Sequence, residues 1–190
     1  MDAKRIESLV TELLAALGED ISRPGLAKTP GRVSELYQDL YAGVGVDPAS
    51  VLANAPALDS RPEERGDVVA LRGIDFTSIC EHHLLPFRGT ADVVYRPGER
   101  LLGLGILADL VHVAAARPQI QERLGDMVAH ALVDSGVAQG SLVVLRAEHG
   151  CVAHRGPKLQ GSQTVTVAAK GSLADAPDYG LALALVGGVE

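Results

Sequence analysis

Apolar positions repeat at helical spacing at the start of the chain. Ile6, Leu9, Val10, Leu13, Leu14 and Leu17 fall on one stripe, and Gly18 ends it. A turn follows over Arg23–Pro30. Thr29 reads as an N-cap with Pro30 at the first helical position. The helix this predicts runs to about Tyr41, with Val33, Leu36, Tyr37 and Leu40 on one face. Residues 43–66 are rich in Gly, Pro, Ala and Asp and read as a long surface connection. The texture then changes. Asp67–Asp75 and Thr90–Tyr95 read as strands, with a Cys/His-rich connecting segment between them. Arg96–Glu99 reads as a turn. Ile106–Ala116 and Gln119–Ser135 read as helices parted at Arg117-Pro118, the second striped by Ile120, Leu124, Met127, Val128, Ala131 and Leu132. Ser141–Ala147 and Gln163–Ala169 read as two more strands. The order ββααββ predicts an antiparallel four-stranded sheet with both helices on one face. Self-association is one way to cover the open face.

Composition narrows the function classes. At 190 residues the chain fits one domain, and 47% apolar content suffices for a core built mainly from Val, Leu and Ala. A net charge of −7 disfavours a nucleic-acid partner, which needs a basic surface. The N-terminus reads as a charged helix rather than a signal peptide, and no apolar run approaches the ~20 residues of a membrane span. A cytoplasmic location with reduced thiols is the expectation, and no membrane partner is expected.

The candidate chemistry lies in two short clusters. Cys80-Glu81-His82-His83 offers a thiol, a carboxylate and two imidazoles, and Glu148-His149-Gly150-Cys151 holds the second of the two cysteines. Four of the six histidines stand within three residues of a cysteine. Thiolate and imidazole suit zinc, and a catalytic zinc takes about three protein ligands and keeps one position open. Cys80, Cys151 and one histidine of the first cluster would form such a set. The other histidine and His149 would remain for proton transfer. Three plainer readings compete: a Cys80–Cys151 disulfide, two inert buried thiols, and a closed Cys2His2 structural site. The last needs both His82 and His83 on one ion, whereas neighbours on an extended chain point to opposite faces.

The same residues carry a resemblance. FTSICEHHLLPFRG, GLGILADLVHVAAARPQIQERL and EHGCVAHRG, with LGEDISRPGLAKTPGRV upstream, are similar to the GTP cyclohydrolase I family from about Leu14 to Val167. The resemblance implies the α+β tunnelling fold: residues 1–66 as helical arm and connection, 67–190 as catalytic domain. It implies pentameric barrels stacked into a decamer, with sites between subunits. It puts zinc ligands on Cys80, His83 and Cys151 and catalytic imidazoles on His82 and His149. It also puts a guanine-binding pair on Gln121 and Glu122, and triphosphate contacts on Arg32 and Arg155. The implied reaction opens the guanine imidazole ring of GTP at C8, releases formate and yields dihydroneopterin triphosphate.

The resemblance also locates departures. Where the family has G-L-S-K-x-x-R, this chain has Gly103-Leu104-Gly105-Ile106-Leu107-Ala108-Asp109, and the lysine three residues after the TP-x-R arginine is here Glu35. Lost or reversed cations weaken binding of a highly anionic group. The leading expectation is therefore a zinc-dependent purine cyclohydrolase acting on a guanine-type substrate less phosphorylated than GTP. One alternative is an ordinary GTP cyclohydrolase I that rebuilds its phosphate site from residues such as Arg100, Arg117 or Lys158. Another is a non-catalytic, zinc-stabilised purine-binding assembly.

Overall fold

The computed structural model describes all residues except Asn54, Pro56, 60–66 and 188–190. Two compact units emerge, Met1–Ala42 and Gly43–Glu190. In the first, helix α1 (Ala3–Ala16) is capped by Asp2, whose carboxylate accepts from the Arg5 amide at 3.0 Å. Helix α2 is Thr29–Leu40, so Thr29 is its first residue rather than its cap; no side chain caps it, and Pro30 sits inside the first turn. Pro30 has no N–H to leave unpaired there, which is why the start tolerates it. Ser34 is buried and donates to the Ala3 carbonyl at 3.1 Å.

The second unit is built on a five-stranded sheet. The expected connection over 43–66 falls partly outside the described residues. Its described part carries helix α3 (Ser50–Ala53) and strand β1 (Ala57–Asp59), which pairs with β4 (Arg100–Leu102). The main sheet has the order β5-β2-β3-β6-β7, from β2 (Val69–Cys80), β3 (Pro86–Pro97), β5 (Pro118–Gln119), β6 (Ala138–His149) and β7 (Thr164–Gly171). The four long strands are antiparallel neighbours; β5 joins β2 in parallel over two residues. Helices α4 (Leu104–Ala115) and α5 (Gln121–Asp134) pack on one face. Phe76, Phe87, Val93, Leu145 and Ala168 meet Leu107, Leu110, Leu124 and Val128 there in one buried core. The expected tunnelling-fold architecture is present.

Four differences from expectation have physical causes. Strand β2 runs on to Cys80, because Phe76–Ile79 pair with Gly89–Pro86 in continuous register. Its alternation is broken at Gly73, which adopts φ +70° in a bulge and donates to Asp92 at 2.8 Å. Residues Pro118–Gln119 form a strand, so α5 starts two residues later than its stripe suggests. Finally, a helix the apolar pattern does not mark, α7 (Asp178–Leu185), covers part of the sheet's other face. Leu173, Ala182 and Val186 pack there against Val94, Leu142 and Val144. Arg96 holds the start of this helix through Asp178 at 2.7 Å. Among the described residues no helix is long and apolar enough to cross a membrane.

Candidate metal centre and active site

Three donors converge. Cys80 Sγ, His83 Nδ1 and Cys151 Sγ lie within 4.8 Å of one another. Cys80 Sγ stands 3.8 Å from His83 Nδ1 and 4.0 Å from Cys151 Sγ, and both thiols are free. Tetrahedral zinc with sulfur ligands at about 2.3 Å and nitrogen at about 2.0 Å separates its donors by roughly 3.5–3.8 Å. The trio suits a metal ion in donor chemistry, and the two separations from Cys80 Sγ are close to this spacing. It offers three ligands, which leaves a fourth position to solvent or substrate.

The first cluster is shaped by a turn. Cys80 ends β2 in the buried layer, and the chain reverses over Glu81–Leu85. The Cys80 amide donates to Leu85 at 2.9 Å, and the Leu84 amide returns to the Cys80 carbonyl at 2.9 Å. Leu84 adopts φ +52°, a left-handed conformation unfavourable for a branched side chain. The backbone here is thus turned, not extended, and this curl brings His83 back toward Cys80. His82 points elsewhere: its ring is tilted 79° from that of His83, and its side chain is 65% exposed. Two outside contacts hold the turn. Glu81 N–H donates to the Gln119 carbonyl at 3.0 Å, and Arg123 grips the Glu81 carboxylate at 2.6 and 3.3 Å. The guanidinium holds the Glu81 carboxyl below the usual range.

The second cluster sits at the corner between β6 and helix α6 (Gly150–Ala153). Gly150 packs against β3 so closely that a Cβ would approach the Pro86 carbonyl oxygen at 2.9 Å. His149 lies flat on Phe87, with ring centroids 4.6 Å apart and planes 2° apart. Its Nε2 is 2.8 Å from Gln121 Oε1. Burial lowers the His149 pKa, and the nearby Glu122 carboxylate opposes that shift. Burial pushes the Cys151 thiol up, and the Cys80 sulfur adds to this, while Arg155 pulls in the opposite direction.

The remaining candidates divide. Glu122 is exposed in the first turn of α5. Gln121, the other half of the expected base-binding pair, is 1% exposed. Its amide nitrogen already contacts Leu145 O, Thr164 O and Thr166 Oγ1. Arg155 is exposed just beyond α6, and Arg32 is exposed on α2 of the first unit. The sequence pattern alone missed Phe87 as the stacking partner of His149, and Glu81 and Arg123 as the clamp on the turn. Cross-strand register supplies the first, since Phe87 pairs with His149.

An antiparallel-dominated sheet backed by two helices, with a Cys–His–Cys donor set and further imidazoles at one end, defines a tunnelling-fold hydrolase. Comparison with known proteins makes this specific. The sequence profile described as GTP cyclohydrolase I matches residues 6–182. A GTP cyclohydrolase 1 from Leifsonia xyli is 47% identical over 186 residues, covering 98% of this chain and 96% of the relative. Those from Streptococcus sanguinis and Acetivibrio thermocellus are 44% and 42% identical, covering 94% and 99% of this chain and the same shares of their own. The chain belongs to the GTP cyclohydrolase I family. With the family it is a hydrolase acting on a cyclic amidine C–N bond, of the kind that serves pterin biosynthesis.

Proposed function

We propose that this chain binds zinc through Cys80, His83 and Cys151 and opens the imidazole ring of GTP at C8, releasing formate and forming dihydroneopterin triphosphate. The observation that carries the reading is the convergence of the two thiols and Nδ1 within 4.8 Å. Curated relatives named GTP cyclohydrolase 1, at 41–47% identity, support GTP as the substrate. When bound, zinc supplies Lewis acidity at its open coordination position. The chain's own groups do the rest. Glu122 accepts from N1–H and the exocyclic amine of guanine, a paired contact that suits one carboxylate. His149, held flat on Phe87, carries a proton to or from the purine ring, and the exposed His82 exchanges protons with solvent and the attacking water. Arg155 and Arg32 are assigned to substrate phosphate.

A substrate with fewer phosphates is the second reading. It is favoured by the start of α4, where Gly105, Ile106 and the exposed Asp109 offer no cation. A formate-release assay on guanine, guanosine, GMP and GTP with zinc-loaded protein separates the two. Rates rising with phosphate number, with GTP turned over at micromolar concentration, support the first reading. Rates flat or falling with phosphate number support the second. In the latter case Glu35→Lys/Ile106→Lys/Asp109→Arg should gain GTP binding, less so at high salt. No formate from any of the four defeats both.

Self-association into pentamers or a decamer accompanies this proposal. Its support is the sheet itself: among the described residues β7 is an outer strand, and β2 is paired on its outer side by β5 only at Ile79–Cys80. Strand edges of this length are normally paired or covered. Native mass spectrometry reads the state directly; a monomer at micromolar concentration would refute it.

A further inference from the structure

We propose that Gln121 is a positioning residue that fixes the tautomer of His149, holding its proton on Nε2 and leaving Nδ1 as the bare nitrogen. This rests on the proton-transfer role assigned to His149 above. The argument begins with the orientation of one amide. Gln121 Nε2 lies 3.0 Å from the Leu145 carbonyl, 2.9 Å from the Thr164 carbonyl and 3.2 Å from Thr166 Oγ1. Backbone carbonyl oxygens only accept, so the NH2 must face them. The reversed amide would set its oxygen against two carbonyl oxygens in a site that is 1% exposed. That orientation leaves Oε1 as the atom 2.8 Å from His149 Nε2. An amide oxygen only accepts, so the imidazole donates, and its proton lies on Nε2. A neutral imidazole has one N–H, so Nδ1 carries the lone pair.

Three elements fix this arrangement: the amide starts α5, while its acceptors lie on β6 and β7. Phe87, stacked 2° from parallel, holds the ring plane. Proton exchange with the substrate is thereby directed to Nδ1, and the Nε2–H stays with Gln121. The side chain then acts through His149 rather than on the purine.

Two-bond 1H–15N correlations of histidine-labelled, zinc-loaded protein at about pH 8, where an ordinary imidazole is neutral, report the tautomer directly. The His149 signal is the one lost in His149→Gln. The Nε2-protonated pattern is expected; an Nδ1-protonated or averaged pattern overturns the proposal. Gln121→Met keeps length and removes the acceptor. Its expected outcome is an averaged tautomer and a kcat lower by about 10–100-fold, the range seen when an outer partner of a metal-bound histidine is lost, with KM and zinc content unchanged. A raised KM with unchanged kcat marks a substrate contact instead and also overturns the proposal. If the variant does not fold, the wild-type spectrum alone decides. If no guanine compound turns over, the proposed function falls while the tautomer is still read.

Discussion

The two clusters are built in opposite ways. The Cys80–His83 turn is exposed beyond its buried cysteine, curls through a left-handed Leu84, and is tied down by the Glu81–Arg123 pair at the surface. The His149–Cys151 corner is packed: one ring face rests on Phe87, one ring nitrogen on Gln121, and Gly150 presses on β3. Each supplies one thiol to the proposed metal site and one imidazole beyond it. The difference separates an exposed imidazole, His82, from a packed one, His149, the two groups proposed to carry protons. Such a division fits a reaction in which one group must reach solvent while the other addresses a bound ring.

The largest effect should come from breaking the link between the clusters. Cys151→Ala is expected to lose bound zinc and all detectable turnover; zinc by atomic emission alongside formate release checks this, and an active metal-free variant would refute it. Next, His149→Ala and His82→Ala should each lower kcat by about 10²–10⁴-fold while zinc stays bound. Thermal melts then separate them. His149→Ala strands Gln121 Oε1 and uncovers Phe87, a loss of about 1–3 kcal/mol, whereas His82→Ala should change stability by less than about 0.5 kcal/mol. Equal melting shifts would erase the packed-versus-exposed distinction. Glu122→Gln should raise KM by about 10–100-fold, because a charge-assisted contact is worth about 1.5–3 kcal/mol, with zinc retained. Unchanged KM would remove Glu122 from the base contact. Smallest is Arg123→Ala. The Glu81 pair is half exposed, so its stability effect should stay below about 1 kcal/mol. A loosened turn should show in weaker zinc affinity, measured by chelator competition.

Much of this was legible in the sequence because the signals are local. The helix stripes, the strand pairs and the two Cys/His clusters all lie within short windows. What was not legible depends on partners distant in sequence. The end of β2 was obscured because the Gly73 bulge breaks its alternation and its pairing partner begins at Pro86. Helix α7, with DYGLALAL, has no clear apolar stripe; only its docking on Val94, Leu142 and Val144 makes it a core element. Gln121 reads as a polar residue at a helix start, and its burial follows from β6 and β7 passing behind it. The adjacency of His82 and His83 suggested opposite faces of an extended chain. A turn separates them instead, by a different geometry.

Gly150 carries a consequence for how this centre can change. The corner that carries Cys151 meets β3 at a main-chain contact, where a Cβ on residue 150 would come within 2.9 Å of the Pro86 carbonyl oxygen. Replacing Cys151 with Asp or His changes the proposed ligand without touching this contact, so an altered metal preference is the expected outcome, read by zinc and cobalt binding. A side chain at 150, by contrast, requires the corner or the Pro86 carbonyl to shift, and Cys151 is the next residue along. Attempts to retune the proposed metal site should vary position 151 and leave position 150 alone.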